Sequence, residues 1–347
     1  MTLCPAIVLD RHGAVDVLEH RDIDVPAPGP GQVRVRVRAV ALNHLDLWVR
    51  RGLPGLKLEY PHRLGADIAG EVESIGAGVT NATVGQKLLV APALSDGVCE
   101  ACLLGNDNLC PRYRILGENT QGGYASLLNI PAQNVIPYPS NLGFAEAAAL
   151  PLTFLTAWQM VVLRARVRPG EIVLVQGAGS GVGVAAIQIA RLHGARVWAV
   201  AGSLEKCARA KELGAEEAFD YTRQDVVAEV KQRTGKRGVD VVIEHVGGET
   251  FVKSILAVAR GGRIATCGAT SAFQVEIDLR QVFFRNVQIL GSTMGPKGTL
   301  FDIVRHVEAG RLRPIVDRVL PIAQAREAHT VLETRQAFGK VVLEHAP

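Results

Sequence analysis

The run Glu171-Ile-Val-Leu-Val-Gln-Gly-Ala-Gly-Ser-Gly-Val-Gly183 decides the fold. Its first half is apolar without alternation, which describes a strand buried on both faces rather than one with a wet side. The glycines then break the strand into a turn, and Val184–Leu192 has the texture of a helix. A strand, a glycine-rich turn and a helix start put backbone N–H groups and the positive end of a helix dipole where a pyrophosphate can be held. The spacing departs from strict Gly-x-Gly-x-x-Gly, because a frame opened at Gly177 meets Val182 where the last glycine should stand. The frame Ala178-x-Ser180-x-x-Gly183 fits with two small-residue substitutions.

A glycine loop alone marks no more than a tight turn, so its surroundings matter. Apolar runs at Arg196–Ala201, Glu217–Tyr221, Val239–Val246, Arg263–Cys267 and Val287–Leu290 alternate with helix-length segments. That alternation predicts a doubly wound parallel sheet and gives the loop the setting of a dinucleotide site. Upstream the texture is different: short strands at Ala6–Leu9, Gln32–Ala39, Ile68–Ile75 and Lys87–Val90 are divided by Gly and Pro, as in a β-rich domain or barrel. Arg34-Val-Arg-Val-Arg38 reads as a strand with one wet face. Ala147–Leu163 reads as buried helix, and the terminal Gly339-Lys-Val-Val-Leu343 as a strand outside the alternating pattern that returns to the first domain.

Composition narrows the partners. The 347 residues carry 38 Lys+Arg against 34 Asp+Glu, a formal charge of +4 with no block of like charge, which gives no electrostatic reason to expect nucleic acid or an anionic membrane. With no signal-like start, no apolar run of the ~20 residues a membrane helix needs, and six cysteines that make no secreted framework, a reducing cytoplasm is the expected compartment.

Two clusters carry chemistry. Cys99, Cys102 and Cys110 provide two thiols on one knuckle and a third within loop distance, and Asp96, three residues before Cys99, continues the spacing. Together they form a candidate Asp/Cys₃ zinc site; four protein ligands leave no open position, so such a zinc is structural. The rival reading is three reduced cysteines in a lobe that holds no metal. At the end of the second parallel strand, where a carboxylate would bind a ribose 2′-OH, Ala199-Val-Ala-Gly-Ser-Leu-Glu-Lys206 offers none. Ser203, Lys206 and, after the next strand, Tyr221 can instead serve a 2′-phosphate, which favours NADPH. The alternative for Lys206 is a solvated helix residue.

These pieces in this order, with Leu64-Gly-Ala-Asp-Ile-Ala-Gly-Glu-Val72, resemble the medium-chain dehydrogenase/reductase superfamily over essentially the whole chain. The resemblance implies an α/β protein with a GroES-like β-barrel catalytic domain, residues 1–153 and 295–347 with a zinc lobe near 96–110, and a Rossmann cofactor domain, residues 154–294. It implies phosphate contacts from Ser180, Gly181, Val182 and Gly183, and nicotinamide contacts from Thr156, Ala269, Ser292 and Met294, with Lys340 counted among the cofactor residues. Alcohol dehydrogenases of the superfamily carry catalytic-zinc ligands at positions that here hold Asn43, Ala66 and Leu152, none a normal zinc ligand. Without that Lewis acid, ordinary alcohol oxidation loses its main device.

Asn43 and Trp48 make the chain look like the quinone oxidoreductase and enone reductase branch, which transfers hydride from NADPH to a quinone or an activated alkene. Asn43, Asp46 and Trp48 are then the catalytic candidates, with the Asn43 amide as a donor to developing enolate charge. Structural rivals stand beside each: His44 capping a helix, Asp46 fixing the Arg50–Arg51 turn, and Trp48 filling core. An alcohol or carbonyl dehydrogenase and an NADPH-binding protein without turnover are the competing functions. The apolar edge strand Val287–Leu290 predicts a homodimer.

Overall fold

The computed structural model describes residues 2–345. The chain forms two compact units, Met1–Leu152 with Pro296–Pro347, and Thr153–Gly295.

In the second unit the unbroken apolar runs become a six-stranded parallel sheet. Its order is Glu217–Asp220, Arg196–Ala201, Ile172–Val175, Val239–Glu244, Val258–Thr266, Gln288–Gly291. The central strand Ile172–Val175 is buried along its whole length, as its composition requires. Helices Gly181–Leu192, Leu204–Glu212, Val226–Arg233 and Gly248–Ala257 connect these strands, and the core includes Leu174, Trp198, Phe219, Val242 and Ile264. The predicted single buried helix over Ala147–Leu163 is instead two α-helices, Phe144–Ala148 and Pro151–Trp158, continued by a π-helical stretch Gln159–Arg164. The unit boundary falls at the start of the second.

The first unit is mainly antiparallel. Gln32–Ala41 is its central strand, paired with Asp67–Ile75, Leu127–Pro131 and Lys340–Glu344. The terminal strand thus returns to the first unit, and it also pairs in parallel with Val316–Pro321. The wet face expected of Arg34–Arg38 is partly covered. Arg34 is 5% exposed and donates to the carbonyls of Val25 and Pro26 and to Thr2 and Asn129 side chains, because Glu19–Val25 and Leu127–Pro131 lie over it. Among the described residues no helix is long and apolar enough to cross a membrane.

A polar chain crosses the core of this unit. Tyr124 Oη lies 3.0 Å from His329 Nε2, His329 Nδ1 lies 3.2 Å from Arg50, and Arg50 pairs with Glu333. All four groups thereby satisfy one another, which buried polar atoms must. Burial, then Arg50, pushes His329 down from 6.5 to about 3, and burial pushes His245 and His345 down to about 4. The unfolded chain therefore takes up protons near pH 6.5 that the folded chain refuses. Stability is full above that pH and falls as pH drops toward the folded values, by about 1.4 kcal/mol per pH unit for each such group. His329→Gln, which keeps a donor and an acceptor but does not titrate, should flatten the fall in urea midpoint between pH 6.5 and 4. An unchanged slope would mean that His329 is not held neutral.

Candidate functional site

The phosphate loop is shaped by contacts that only glycine permits. Gly177 has φ +56°, and a Cβ on Gly183 would stand 2.4 Å from the Gly177 carbonyl oxygen. Gly183 thus lets the helix pack against the strand end. Ser180 is the N-cap of helix Gly181–Leu192, its Oγ accepting from Gly183 N–H at 2.9 Å. Gly181 and Val182 N–H, in the first helical turn, have no intrahelical acceptor and face the helix mouth. His245, which sequence reasoning did not single out, packs against Gly177 and reaches Ser180 Oγ with Nε2 at 3.3 Å.

The other cofactor candidates also follow strand ends. Ser203 caps helix Leu204–Glu212, accepting from Lys206 N–H at 3.2 Å, so its hydroxyl already serves the helix. Tyr221 is 53% exposed, and its hydroxyl lies beside Gly202, where a Cβ would stand 2.8 Å from it. The nearby carboxylate, Asp220, is buried and turned onto Thr222, whose N–H and hydroxyl hold its carboxyl below the usual range. Ala269 and Ser292–Met294 come after the neighbouring strands Val258–Thr266 and Gln288–Gly291. Thr156 Oγ1 meets Met294 Sδ at 3.8 Å, and the buried Ser292 Oγ has no partner among the described residues. An orphaned hydroxyl and exposed strand ends fit a carboxamide-bearing cofactor.

In the first unit, a buried polar cluster forms around Asn43. Asn43 caps helix His44–Arg51, and Asp46 closes a capping box by accepting Asn43 N–H at 2.7 Å, with its second oxygen taking Gly65 N–H at 2.9 Å. Burial pushes the Asp46 carboxyl up to about 6 against those two N–H groups. Asp46 therefore does not fix the Arg50–Arg51 turn: both arginines go to Glu333. Asn43 Nδ2 donates to Asp67 Oδ2 at 2.9 Å and, at 3.5 Å, to Ala41 O. Asn43 Oδ1 accepts from Lys340 Nζ at 2.6 Å. The Asn43 amide hydrogens expected to face an enolate are thus already committed. Lys340, expected among the cofactor contacts, has its ammonium on Asn43 and on Asp67, 2.8 Å away. Neither the Asp67–Lys340 pair nor its link to Asn43 was foreseen. Trp48 is half-buried on the same helix, its ring 6.5 Å from that of His44.

The cysteine lobe is assembled as its spacing suggests. One ligand atom each from Asp96, Cys99, Cys102 and Cys110 lie within 4.8 Å of one another. Tetrahedral thiolate ligation at Zn–S ≈ 2.3 Å sets ligands about 3.8 Å apart, so the set is near closure. Asp96 Oδ1 accepts from Cys99 and Val98 N–H at 2.9 and 3.0 Å. Those bonds hold the carboxyl well below its usual range, and Oδ2 lies 4.0 Å from Arg112 Nε. Cys110 Sγ receives N–H from Asp96 and Arg112, which lowers its thiol. At Cys110 such bonds favour the thiolate that a metal requires, whereas the Cys99 thiol is pushed up.

Against known families, residues 29–140 match the alcohol dehydrogenase GroES-like domain and residues 181–309 the zinc-binding dehydrogenase domain. The NAD-dependent alcohol dehydrogenase of Saccharolobus solfataricus is 31% identical over 88% of this chain and 90% of its own length. The chain is a medium-chain dehydrogenase/reductase. The quinone oxidoreductase of Sus scrofa is 29% identical over 98% of both chains. A crystal structure described as an NAD-dependent alcohol dehydrogenase superposes with TM-score 0.95 at 54% identity, covering 98% of this chain and 99% of its own. Oxidoreductase activity and the α/β fold of barrel-type and parallel-sheet domains follow from this membership.

Asn43, Ala66 and Leu152, which the resemblance sets at the catalytic-zinc ligand positions, all border Asp67. Asn43 meets it through its amide, Ala66 precedes it in the chain, and Leu152 N–H donates to its Oδ1 at 2.6 Å. The purified protein should carry one zinc per chain by elemental analysis. Cys110→Ser should cut that content severalfold and lower the thermal midpoint, while chelation of the wild type should leave most turnover in place. Full zinc content in Cys110→Ser would remove Cys110 from the ligand set.

Proposed function

We propose that this dehydrogenase/reductase is an NADPH-dependent reductase of quinones or α,β-unsaturated carbonyls that uses no catalytic metal and carries a structural zinc on Asp96, Cys99, Cys102 and Cys110. The observation that carries the reading is the lack of a free donor at Asn43, Ala66 and Leu152, the positions that the resemblance gives to the catalytic-zinc ligands. Ala66 and Leu152 have no side-chain donor, and the oxygen of Asn43 is taken by the Lys340 ammonium, whose positive charge would itself repel a divalent ion.

When bound, NADPH supplies the hydride, and the protein's task is to bind and orient. Ser180, Gly181, Val182 and Gly183 hold the pyrophosphate at the helix mouth. Ser203, Lys206 and Tyr221 favour the 2′-phosphate, supported by the lack of a carboxylate at the end of strand Arg196–Ala201. Thr156, Ala269, Ser292 and Met294 orient the carboxamide, Asp46 keeps Asn43 in place, and Trp48 covers the acceptor. Alcohol or carbonyl oxidoreduction with NAD is the second reading, favoured by the names of two of the relatives above.

Oxidation of NADPH and NADH followed at 340 nm with a quinone, an enone and an aldehyde in parallel separates them. Expected is chelator-resistant turnover of the quinone or enone with NADPH preferred. Chelator-sensitive aldehyde reduction, or a preference for NADH, would favour the second reading, and saturable NADPH binding without turnover would point to a binding protein.

We also propose a homodimer joined along the edge strand Gln288–Gly291. Among the described residues that strand pairs on one side only, Ile289 is 40% exposed, and Phe283 and Phe284 beside it are 57% and 65% exposed. An unprotected edge with apolar flanks is a template for pairing, and a two-fold axis satisfies both copies at once. Gel filtration at micromolar concentration should give twice the 37.1 kDa of the chain, and Ile289→Lys should shift it to monomer. A wild type eluting only as monomer overturns the dimer.

A further inference from the structure

Lys340 is 4% exposed and Asp67 is fully buried, so this ion pair was taken out of water at considerable cost. Both oxygens of Asp67 are engaged: Oδ1 accepts from Leu152 N–H, and Oδ2 accepts from both Asn43 Nδ2 and Lys340 Nζ. Lys340 has capacity left. An ammonium has three N–H groups; one goes to Asn43 Oδ1, one to Asp67 Oδ2, and the third has no partner among the described residues. The same group sits beside Asn43, itself 8% exposed, at one of the positions that the resemblance gives to the metal ligands. Because Asn43 spends its own amide hydrogens on Asp67 and Ala41, the charged donor left in this cluster is Lys340.

We propose that the Lys340 ammonium does here what a Lewis-acid metal does in other members of the superfamily: its third N–H donates to the carbonyl oxygen of the acceptor and stabilises the negative charge that develops there. The idea rests on the reductase reading above. For an enone the electrons balance as follows. The hydride of the dihydronicotinamide forms a C–H bond at the β-carbon, the C=C pair moves to join the α- and carbonyl carbons, and the carbonyl π pair becomes the enolate lone pair on oxygen. The cofactor leaves oxidised, and water later protonates the α-carbon. Lys340 keeps its own proton throughout. Asp67 balances the ammonium in the resting protein and Asn43 fixes its direction, so the donor is aimed before the charge appears.

The test compares Lys340→Met with the double variant Asp67→Asn/Lys340→Met, in the full chain, using whichever quinone or enone the wild type reduces. Lys340→Met should lower kcat by about 10²–10³, the usual loss for one oxyanion donor, while NADPH affinity stays within about twofold. The double variant should recover the thermal midpoint, since no lone buried charge remains, but not kcat. Recovery of kcat with the midpoint, or full kcat in Lys340→Met, would show a structural ion pair and overturn the proposal.

A readout independent of turnover uses 4-nitrophenol, whose anion mimics the enolate oxygen and is coloured. The wild type should bind the phenolate and lower the apparent pKa of the bound phenol, and Lys340→Met should do neither. A wild type that binds the anion no better than Lys340→Met overturns the proposal. If no quinone or enone is reduced, the proposed reaction fails by itself, and the phenolate titration still decides Lys340.

Discussion

A carboxylate removed from water must find charge and hydrogen-bond donors inside the protein, or the fold that buries it is lost. Asp67 imposes that requirement on the first unit. Its two oxygens draw together the start of strand Asp67–Ile75, the N-cap of helix His44–Arg51, the backbone at Leu152 and the terminal strand Lys340–Glu344. Segments nearly three hundred residues apart in sequence are fixed to within hydrogen-bond distance. Asp46 adds a second anchor, tying the helix start to Gly65. The polar cluster is therefore as much a joint as a site, and the position of Asn43 follows from both carboxylates.

The second unit obeys a different constraint, close packing of backbone. Gly183 brings its helix so near the strand end that no side chain fits between them, and Ser180 then occupies the cap. The open N–H groups of the first turn are a by-product of ending a strand and starting a helix in so few residues. His245 adds a neutral imidazole beside that mouth, at the end of the adjoining strand Val239–Glu244.

What was readable in advance follows from which signals are local. Strands buried on both faces, such as Ile172–Val175 and Arg196–Ala201, were visible because every residue in them is apolar or nearly so, and Lys87–Val90 was visible for the same reason. Glu19–Val25 was not, since its residues are Glu-His-Arg-Asp-Ile-Asp-Val and among the described residues it has one strand neighbour. The cysteine lobe could be read because its ligands lie within fifteen residues of one another. The Asp67–Lys340 pair could not: each residue is unremarkable in its own segment, and only the returning strand brings them together. Arg34 was misjudged on the same account, its alternating pattern being right while the cover over it comes from distant chain.

The place of strand Lys340–Glu344 also governs the order in which the protein can be made. It lies between Val316–Pro321 and the central strand Gln32–Ala41, so the sheet of the first unit is incomplete until Lys340–Glu344 has left the ribosome. The second unit is contiguous, Thr153–Gly295, and all its strands are available earlier. During synthesis the parallel sheet can therefore close first while the antiparallel unit waits with an open seam beside Gln32–Ala41. Nascent chains stalled short of residue 340 would expose that seam to chaperones, which makes Lys340–Glu344 a quality checkpoint for the strand that it completes.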